Sequence, residues 1–188
     1  MKHKVIIISS PSGGGKTTIM HRLMAHVPAL EFSISACSRL PRQGEVDGKD
    51  YYFLTEEDFK SKIAEDAFLE HVEVYAGTFY GTLKSEVQRI WDKDSYVIFD
   101  VDVVGGCRLK EYFKHQALSI FIKPPNVAVL RERLLLRKTE SPESIDIRVS
   151  RAKFELSFAN RYDVVILNDS LEKAVEQTQS AVMDFLKQ

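Results

Sequence analysis

A lysine and a threonine follow three consecutive glycines near the start of the chain, directly after an apolar run: residues 6–18 read IIISSPSGGGKTT. Glycines let the backbone approach a ligand closely, and successive N–H groups at the start of a helix form an anion-binding concavity. The lysine is a cation for the outer phosphates of a nucleoside triphosphate, and the threonine hydroxyl is a ligand for Mg²⁺. We expect the nucleotide to be held by Ser10, Pro11, Ser12, Gly13, Gly14, Gly15, Lys16, Thr17 and Thr18.

One position departs from the G-x-x-x-x-G-K-[ST] phosphate-loop pattern, because Ser10 stands where the first glycine is expected. Serine is tolerated at this position if its backbone dihedral angles are ones that residues other than glycine can adopt. The alternative is a glycine-rich turn that binds nothing. The apolar run before the loop and the helical pattern after it favour the phosphate loop.

Two carboxylates end a second apolar run, in the stretch YVIFDVDVVGG. Phosphate loops work with a metal-binding carboxylate on a neighbouring strand, where the carboxyl edge of an open α/β sheet meets its crevice. We expect Asp100 in the Mg²⁺ shell, directly or through water. Asp102 projects to the same side and is assigned to a second substrate. The alternative is that one or both cap the next helix.

A pair of arginines around a proline predicts a second phosphate site. Arg39 and Arg42 flank Pro41, and Tyr51 lies beyond a turn signal at Asp47-Gly48. Two guanidinium groups and a tyrosine hydroxyl together form a clamp for one phosphate. The alternative is surface charge near a hairpin. Further along the chain, the stretches AFLEHVEV and GTFYGT offer three more polar candidates, Glu70, Tyr80 and Thr82.

A basic helical segment follows at residues 127–160, and Pro142 divides it into two helices. Between residues 131 and 153, seven Lys/Arg and four Asp/Glu leave a local excess of +3. Arg133 and Arg137 share a helix face, and Arg148 follows after the break, so they can converge on a triphosphate when the segment folds down. The alternative is a solvated basic helix pair. Two further arginines, Arg131 and Arg151, are interpreted as solvated or structural.

Four apolar runs rich in β-branched residues predict strands that are covered on both faces, as in a parallel sheet: Val5–Ile8, Val97–Val101, Leu118–Ile122 and Val164–Leu167. Helical patterns lie between them, so we predict one α/β domain with helices flanking a parallel sheet. Its predicted core comprises residues 1–32, 84–126 and 161–188. Residues 33–83 form an inserted subdomain that contains a small sheet, and residues 127–160 form a helical lid.

Composition excludes several classes of protein. The formal net charge is −1 over 188 residues, so the chain as a whole is not a basic nucleic-acid binder. No apolar run is long enough to span a membrane or to act as a signal peptide, so we expect a cytoplasmic location without nucleic-acid or membrane partners. Cys37 and Cys107 are far apart and form no metal or disulfide pattern.

Taken together, these stretches closely resemble the guanylate kinase (GMP kinase) family, nearly from end to end. The most specific are Ser12–Thr17, Ser35–Tyr51, Tyr80-Gly81-Thr82, Asp100-x-Asp102, the arginine-rich segment and the ILND stretch ending at Asp169. The resemblance implies a P-loop NTPase-type fold and the Mg²⁺-dependent, reversible phosphorylation of GMP, and of dGMP as well, by ATP in purine nucleotide metabolism.

The resemblance also implies residue roles. The guanine base would be faced by Ser35, Glu70, Thr82 and Asp102. The GMP phosphate would be held by Arg39, Arg42, Tyr51 and Tyr80. The lid arginines over the ATP phosphates would be Arg133, Arg137 and Arg148, and the residue near the adenine would be Asn168. The groups with catalytic roles would be Lys16, Arg39, Asp100, Arg133, Arg137 and Arg148, and the metal ligands would be Thr17 and Asp100.

The chemistry of the base agrees with this assignment. Guanine presents N1–H and an exocyclic amine as donors, which suit a carboxylate such as Glu70, and O6 as an acceptor for a hydroxyl. Adenine offers a lone pair at N1, which would face that negative charge. Two alternatives stay open, a non-catalytic guanylate-kinase-like binding module and a related P-loop small-molecule kinase. The oligomeric state, monomer or homodimer, is also open.

Overall fold

The computed structural model describes residues 3–136 and 142–188. Strands β1 to β9 of this part of the chain are Val5–Ser9, Leu30–Phe32, Ala36–Cys37, Tyr52–Phe53, Phe68–Tyr75, Thr78–Leu83, Tyr96–Asp100, Ala117–Lys123 and Val164–Leu167. Helices α1 to α7 are Lys16–His26, Glu56–Ala64, Lys84–Trp91, Val103–Phe113, Val127–Leu136, Pro142–Leu156 and Leu171–Lys187. The predicted lid residue Arg137 lies outside the described residues.

The larger sheet has five strands in the order β2-β7-β1-β8-β9, and all neighbouring pairs are parallel. Alternate residues of β1 pack into opposite helical layers. Ile6 and Ile8 join the cluster formed with α1 and α7, whereas Val5 and Ile7 join the cluster formed with α3 and α4. Burial on both faces explains the apolar runs without polar alternation. The predicted parallel α/β fold is confirmed.

The four predicted strands agree with β1, β7, β8 and β9 to within one residue at each end. The edge strand β2 was not predicted. It has three residues, of which Glu31 and Phe32 are only half-buried, so it carries neither a long apolar run nor an alternating pattern.

A second sheet has the order β4-β3-β6-β5 and lies within residues 36–83. Strands β3 and β4 pair in parallel, so the loop with the Asp47-Gly48 turn crosses between them and no hairpin joins these two strands. A parallel pair cannot be joined by a tight turn. The hairpin of this sheet joins β5 and β6, and Gly77 provides the positive φ of 75° in its turn.

Helices α5 and α6 share a small apolar cluster of their own, formed by Leu130, Leu134, Ile145 and Ala152. The same helix pair also lies against the glycine loop, because a Cβ built on Gly13 would approach the Leu134 side chain to 3.2 Å. One side of this helix pair therefore packs against the glycine loop.

A buried carboxylate on α3 holds the segment that connects the two sheets. The side chain of Glu86, which is 2% exposed, accepts hydrogen bonds from the Ile34 amide at 3.0 Å and the Tyr52 hydroxyl at 2.8 Å. It also accepts two from the Arg89 guanidinium, at 2.9 and 2.7 Å. These donors hold the pKa of Glu86 below its usual value despite burial, which acts to raise it. Ile34 precedes Ser35 and Tyr52 follows Tyr51, so this carboxylate fixes backbone next to two predicted site residues.

We expect Glu86→Gln to lower the free energy of unfolding in urea by about 2–3 kcal/mol, because a neutral amide cannot accept all four hydrogen bonds and leaves buried donors unpaired. The matched control is Asp66→Asn, which breaks the pair with Lys84 at a side chain that is 89% exposed. The control should cost less than about 1 kcal/mol. Equal losses for the two variants would contradict the importance of the buried network.

Candidate active site

A cavity of about 400 Å³ opens between the glycine loop, the carboxyl end of β7, the second sheet and helix α6. It brings together much of the predicted site. The predicted residues that line it are Ser10, Pro11, Ser12, Gly13, Gly14, Gly15, Lys16, Thr17, Ser35, Tyr51, Glu70, Tyr80, Asp100 and Asp102. Other predicted site residues are described by the structure but do not line the cavity, namely Thr18, Arg39, Arg42, Thr82, Arg133, Arg148 and Asn168.

The glycine loop takes its shape from two left-handed residues. Gly13 has φ +84° and Gly15 has φ +93°, conformations that side chains rarely adopt. The Gly14 amide donates to the carbonyl of Pro11 at 2.8 Å, which closes the turn before α1. Ser10 is not among the described residues with positive φ, so its side chain is accommodated without backbone strain.

Lys16 reaches across to the end of the neighbouring strand. Its ammonium group forms an ion pair with Asp100 and donates to the Val101 carbonyl at 3.1 Å. The parallel register that sets Ile8 of β1 opposite Asp100 of β7 brings the loop and this carboxylate together.

Thr17 and Asp100 both line the cavity, and each side chain carries oxygen that can ligate a metal ion. The described residues contain no cluster of three or more His, Cys, Asp or Glu side chains that could hold a metal ion by themselves. This donor set fits Mg²⁺ bound with a nucleotide, because Mg²⁺ commonly takes one or two protein oxygens and completes its shell with phosphate and water.

Asp102 is a helix cap and a cavity residue at once. Its Oδ1 atom accepts hydrogen bonds from the amides of Val104 and Gly105, at 3.0 and 2.8 Å, so the helix-capping alternative is correct for this atom. Its Oδ2 atom lies 3.7 Å from the guanidinium of Arg151.

The carboxylate of Glu70 is 9% exposed and lines the cavity from β5. Its Oε1 atom accepts a hydrogen bond from the hydroxyl of Thr82 at 2.8 Å. Thr82 is itself buried beneath the lining, so it holds Glu70 in place. Burial raises the pKa of Glu70, the hydrogen bond from Thr82 opposes that rise, and the charge of Asp102 adds to it.

Arg39, Tyr51 and Tyr80, three of the four residues expected to hold the GMP phosphate, form one cluster. The Arg39 Nε atom donates to the Tyr80 hydroxyl at 3.0 Å, and its guanidinium lies 4.9 Å from the centroid of the Tyr51 ring. Two further donors of Arg39 bind both carboxylate oxygens of Glu45, at 2.6 and 2.8 Å. The backbone amide of Arg42 donates to the same carboxylate at 2.7 Å, while the Arg42 side chain is exposed.

The described lid arginines contact the glycine loop and its support. Arg148 donates to the Ser12 hydroxyl at 2.6 Å. Arg133 donates to the Asn168 carbonyl at 3.0 Å, behind the lining of the cavity.

Asn168, expected near an adenine, is 3% exposed and supports the loop from within. Its amide nitrogen donates to the Gly14 carbonyl at 2.8 Å. Its Oδ1 atom is buried without a hydrogen-bond partner among the described residues.

Three charged residues near the site were not predicted. Glu45 holds Arg39, and Arg151 and Glu155 line the cavity from α6. The Glu155 carboxylate accepts a hydrogen bond from the Ser12 amide at 3.4 Å, and burial raises its pKa. The arginine spacing contained a signal for Arg151, since it lies three residues after Arg148 and shares its helix face.

Comparison with known proteins decides the family. Residues 2–185 match the family model described as guanylate kinase. The chain is 49% identical over 183 residues to a guanylate kinase of Bacteroides fragilis, covering 97% of this chain and 90% of the relative. It is 48% identical to one of Porphyromonas gingivalis, covering 97% and 98%. The chain belongs to the guanylate kinase family.

A solved guanylate kinase from Anaplasma phagocytophilum has the same fold, with a TM-score of 0.76 and 28% identity over 97% of this chain and 85% of that one. As a guanylate kinase, the chain is an enzyme, a nucleotide-binding transferase that phosphorylates GMP with ATP. Among the described residues, no helix is long and apolar enough to cross a membrane.

We expect Gly15→Ala to weaken ADP binding by about tenfold or more, because a Cβ at this left-handed position would overlap the Asn168 amide that holds the Gly14 carbonyl. Titration calorimetry measures the affinity. Gly44→Ala is the matched control, since Gly44 has φ +89° but no atom within 4 Å of the added Cβ. The control should lose about 1–2 kcal/mol of stability from backbone strain alone and keep its ADP affinity. Unchanged ADP affinity in Gly15→Ala would refute the role of this support.

Proposed function

We propose that this cavity binds both substrates and transfers the γ-phosphoryl group of ATP to the phosphate of GMP with the residue roles given below. One observation carries the proposal. A buried carboxylate, Glu70, and the phosphate-loop lysine, Lys16, line the same cavity from different sides. The first suits the donor edge of guanine, and the second suits a triphosphate.

The donor nucleotide lies on the loop from Ser10 to Thr18. Its phosphates accept hydrogen bonds from the loop amides, and Lys16 exchanges Asp100 for the outer phosphates. Asn168 lies beneath the loop and supports the bound nucleotide through its hydrogen bond to the Gly14 carbonyl. Thr17 and Asp100 would hold Mg²⁺, which supplies neutralisation of the phosphate charge.

The acceptor base lies against Glu70, whose carboxylate accepts from N1–H and the exocyclic amine of guanine. Thr82 positions that carboxylate through its hydrogen bond. Ser35, which lines the same cavity, donates to O6, and Asp102 contacts the base with its Oδ2 atom.

The phosphate of GMP is held where Arg39, Tyr51 and Tyr80 meet, with Arg42 at the rim. The guanidinium of Arg39 has five N–H donors. Four of its contacts are already defined, one to Tyr80, one to the Leu40 carbonyl and two to Glu45. The phosphate therefore takes the remaining donor or displaces Glu45, as one anion replacing another.

Transfer needs no covalent intermediate on the protein. A phosphate oxygen of GMP attacks the γ-phosphorus of ATP in line, the bond to the β,γ-bridging oxygen breaks, and GDP and ADP form. Positioning and charge stabilisation supply the catalysis. Lys16 and the lid residues Arg133, Arg137 and Arg148 provide positive charge around the donor phosphates, and closure of the lid excludes water.

The direct test is an ADP-release assay with a panel of acceptors, namely GMP, dGMP, AMP, UMP and a sugar phosphate. We expect kcat/KM for GMP to exceed that for AMP by about 10⁴-fold, because a site built to pair with a donor edge leaves its polar groups unpaired with adenine. Equal use of AMP and GMP would refute the assignment of Glu70. Absence of turnover together with phosphopeptide binding would indicate a non-catalytic module instead.

The raised pKa of Glu70 predicts a pH dependence of GMP use. Glu70 accepts two hydrogen bonds only when ionised, so KM for GMP should rise as pH falls through its pKa, at a higher pH than for an ordinary glutamate. Thr82→Val removes the hydrogen bond that lowers this pKa and should move the midpoint to higher pH. Glu70→Gln should have a high KM for GMP with no such midpoint. The measurement is KM for GMP against pH at saturating ATP, and a midpoint that stays in Glu70→Gln would contradict the prediction.

A further inference from the structure

We propose that Arg151, from helix α6, is a further catalytic residue that donates hydrogen bonds to the phosphoryl group as it passes from ATP to GMP. The inference rests on the transfer reaction proposed above. Among the described lid arginines, Arg151 is the one that lines the cavity, although its sequence context predicts a solvated or structural role.

The Arg151 guanidinium lies between the side of the cavity proposed for ATP and the side proposed for GMP. On the donor side, its Nε atom lies 3.2 Å from the carboxylate of Glu155, which contacts the Ser12 amide of the glycine loop. On the other side, its Nη2 atom lies 3.7 Å from Oδ2 of Asp102. Asp102 and Glu70 meet at Gly105, where an added Cβ would lie 3.4 Å from one carboxylate and 3.1 Å from the other. One side chain therefore borders both substrate regions.

The other described lid arginines are placed differently. Arg133 donates to the Asn168 carbonyl and Arg148 donates to the Ser12 hydroxyl, and neither lines the cavity. Arg151 does line it, and its side chain is 49% exposed. Arg131 provides the contrast, because it pairs with Asp146 at 2.5 Å on the same helix pair and lies outside the cavity lining.

The contacts of Arg151 can be exchanged for contacts to phosphate. Both are ion pairs, one at 3.2 Å and one at 3.7 Å, rather than a bidentate pair of short hydrogen bonds. Phosphoryl transfer spreads negative charge over the equatorial oxygens of the moving group, and a planar guanidinium matches those oxygens with paired donors. Turning from two carboxylates to this group keeps the guanidinium paired throughout. No bond to Arg151 forms or breaks.

The test is steady-state kinetics of Arg151→Gln, with Arg131→Gln as the matched control for loss of a lid charge. We expect Arg151→Gln to lower kcat by about 10- to 100-fold, with KM for ATP and KM for GMP each changed by less than about threefold, because the contact is strongest in the transition state. Arg131→Gln should keep kcat within about twofold of wild type. Wild-type turnover of GMP is the reference. If the wild-type enzyme does not turn over GMP, the proposed transfer reaction itself is overturned, and the role of Arg151 with it.

Chemical rescue separates a catalytic from a structural role. Millimolar guanidinium ion should restore part of the kcat of Arg151→Ala and none in Arg131→Ala, and Arg151→Lys should retain more kcat than Arg151→Gln. Thermal unfolding of each variant shows whether it is folded under assay conditions. The proposal is overturned if Arg151→Gln keeps kcat within threefold of wild type. It is equally overturned if Arg151→Gln has a lower Tm than wild type and guanidinium ion restores no kcat to Arg151→Ala.

Discussion

The ion pair between Lys16 and Asp100 is the contact on which the site depends. It joins the first residue of α1 to the last residue of β7, and it exists because β1 and β7 are parallel neighbours whose carboxyl ends meet at one edge of the sheet. Nucleotide sites of open α/β sheets form at this edge. The second sheet and the lid complete the cavity around it, so the order of strands in the core determines where both substrates meet.

The charges of the cavity follow a common pattern. Lys16 pairs with Asp100, Arg39 with Glu45, and Arg151 with Asp102 and Glu155. Clustered cations would repel one another, and each of these three has a carboxylate that fixes its position. A phosphate can replace each carboxylate because one anion is exchanged for another and the cation stays paired. The same carboxylates limit the net positive charge of the site, consistent with a chain whose overall charge is −1.

Much of this arrangement could be predicted from local sequence. The apolar runs identified the buried parallel strands, and the glycine loop, Asp100 and the start of α6 at Pro142 each have a local signal. The remainder depended on tertiary contacts. The spacing of Arg151 after Arg148 indicates a shared helix face, but only the packing of α6 against the loop shows that Arg151 lines the cavity. Thr82 supports Glu70 from beneath because β5 and β6 pair in a register that sets Glu70 opposite Thr82. The turn signal at Asp47-Gly48 does not reveal which strands pair, so the parallel pairing of β3 with β4 has no local signal.

The most direct measurement is a crystal structure of the chain with GMP, ADP and Mg²⁺ bound together. The account predicts that the Lys16 ammonium leaves Asp100 for the ADP phosphates, while the guanine edge of GMP contacts the Glu70 carboxylate in the same cavity. If Lys16 stays on Asp100 with ADP bound, or if guanine binds away from Glu70, the account is contradicted.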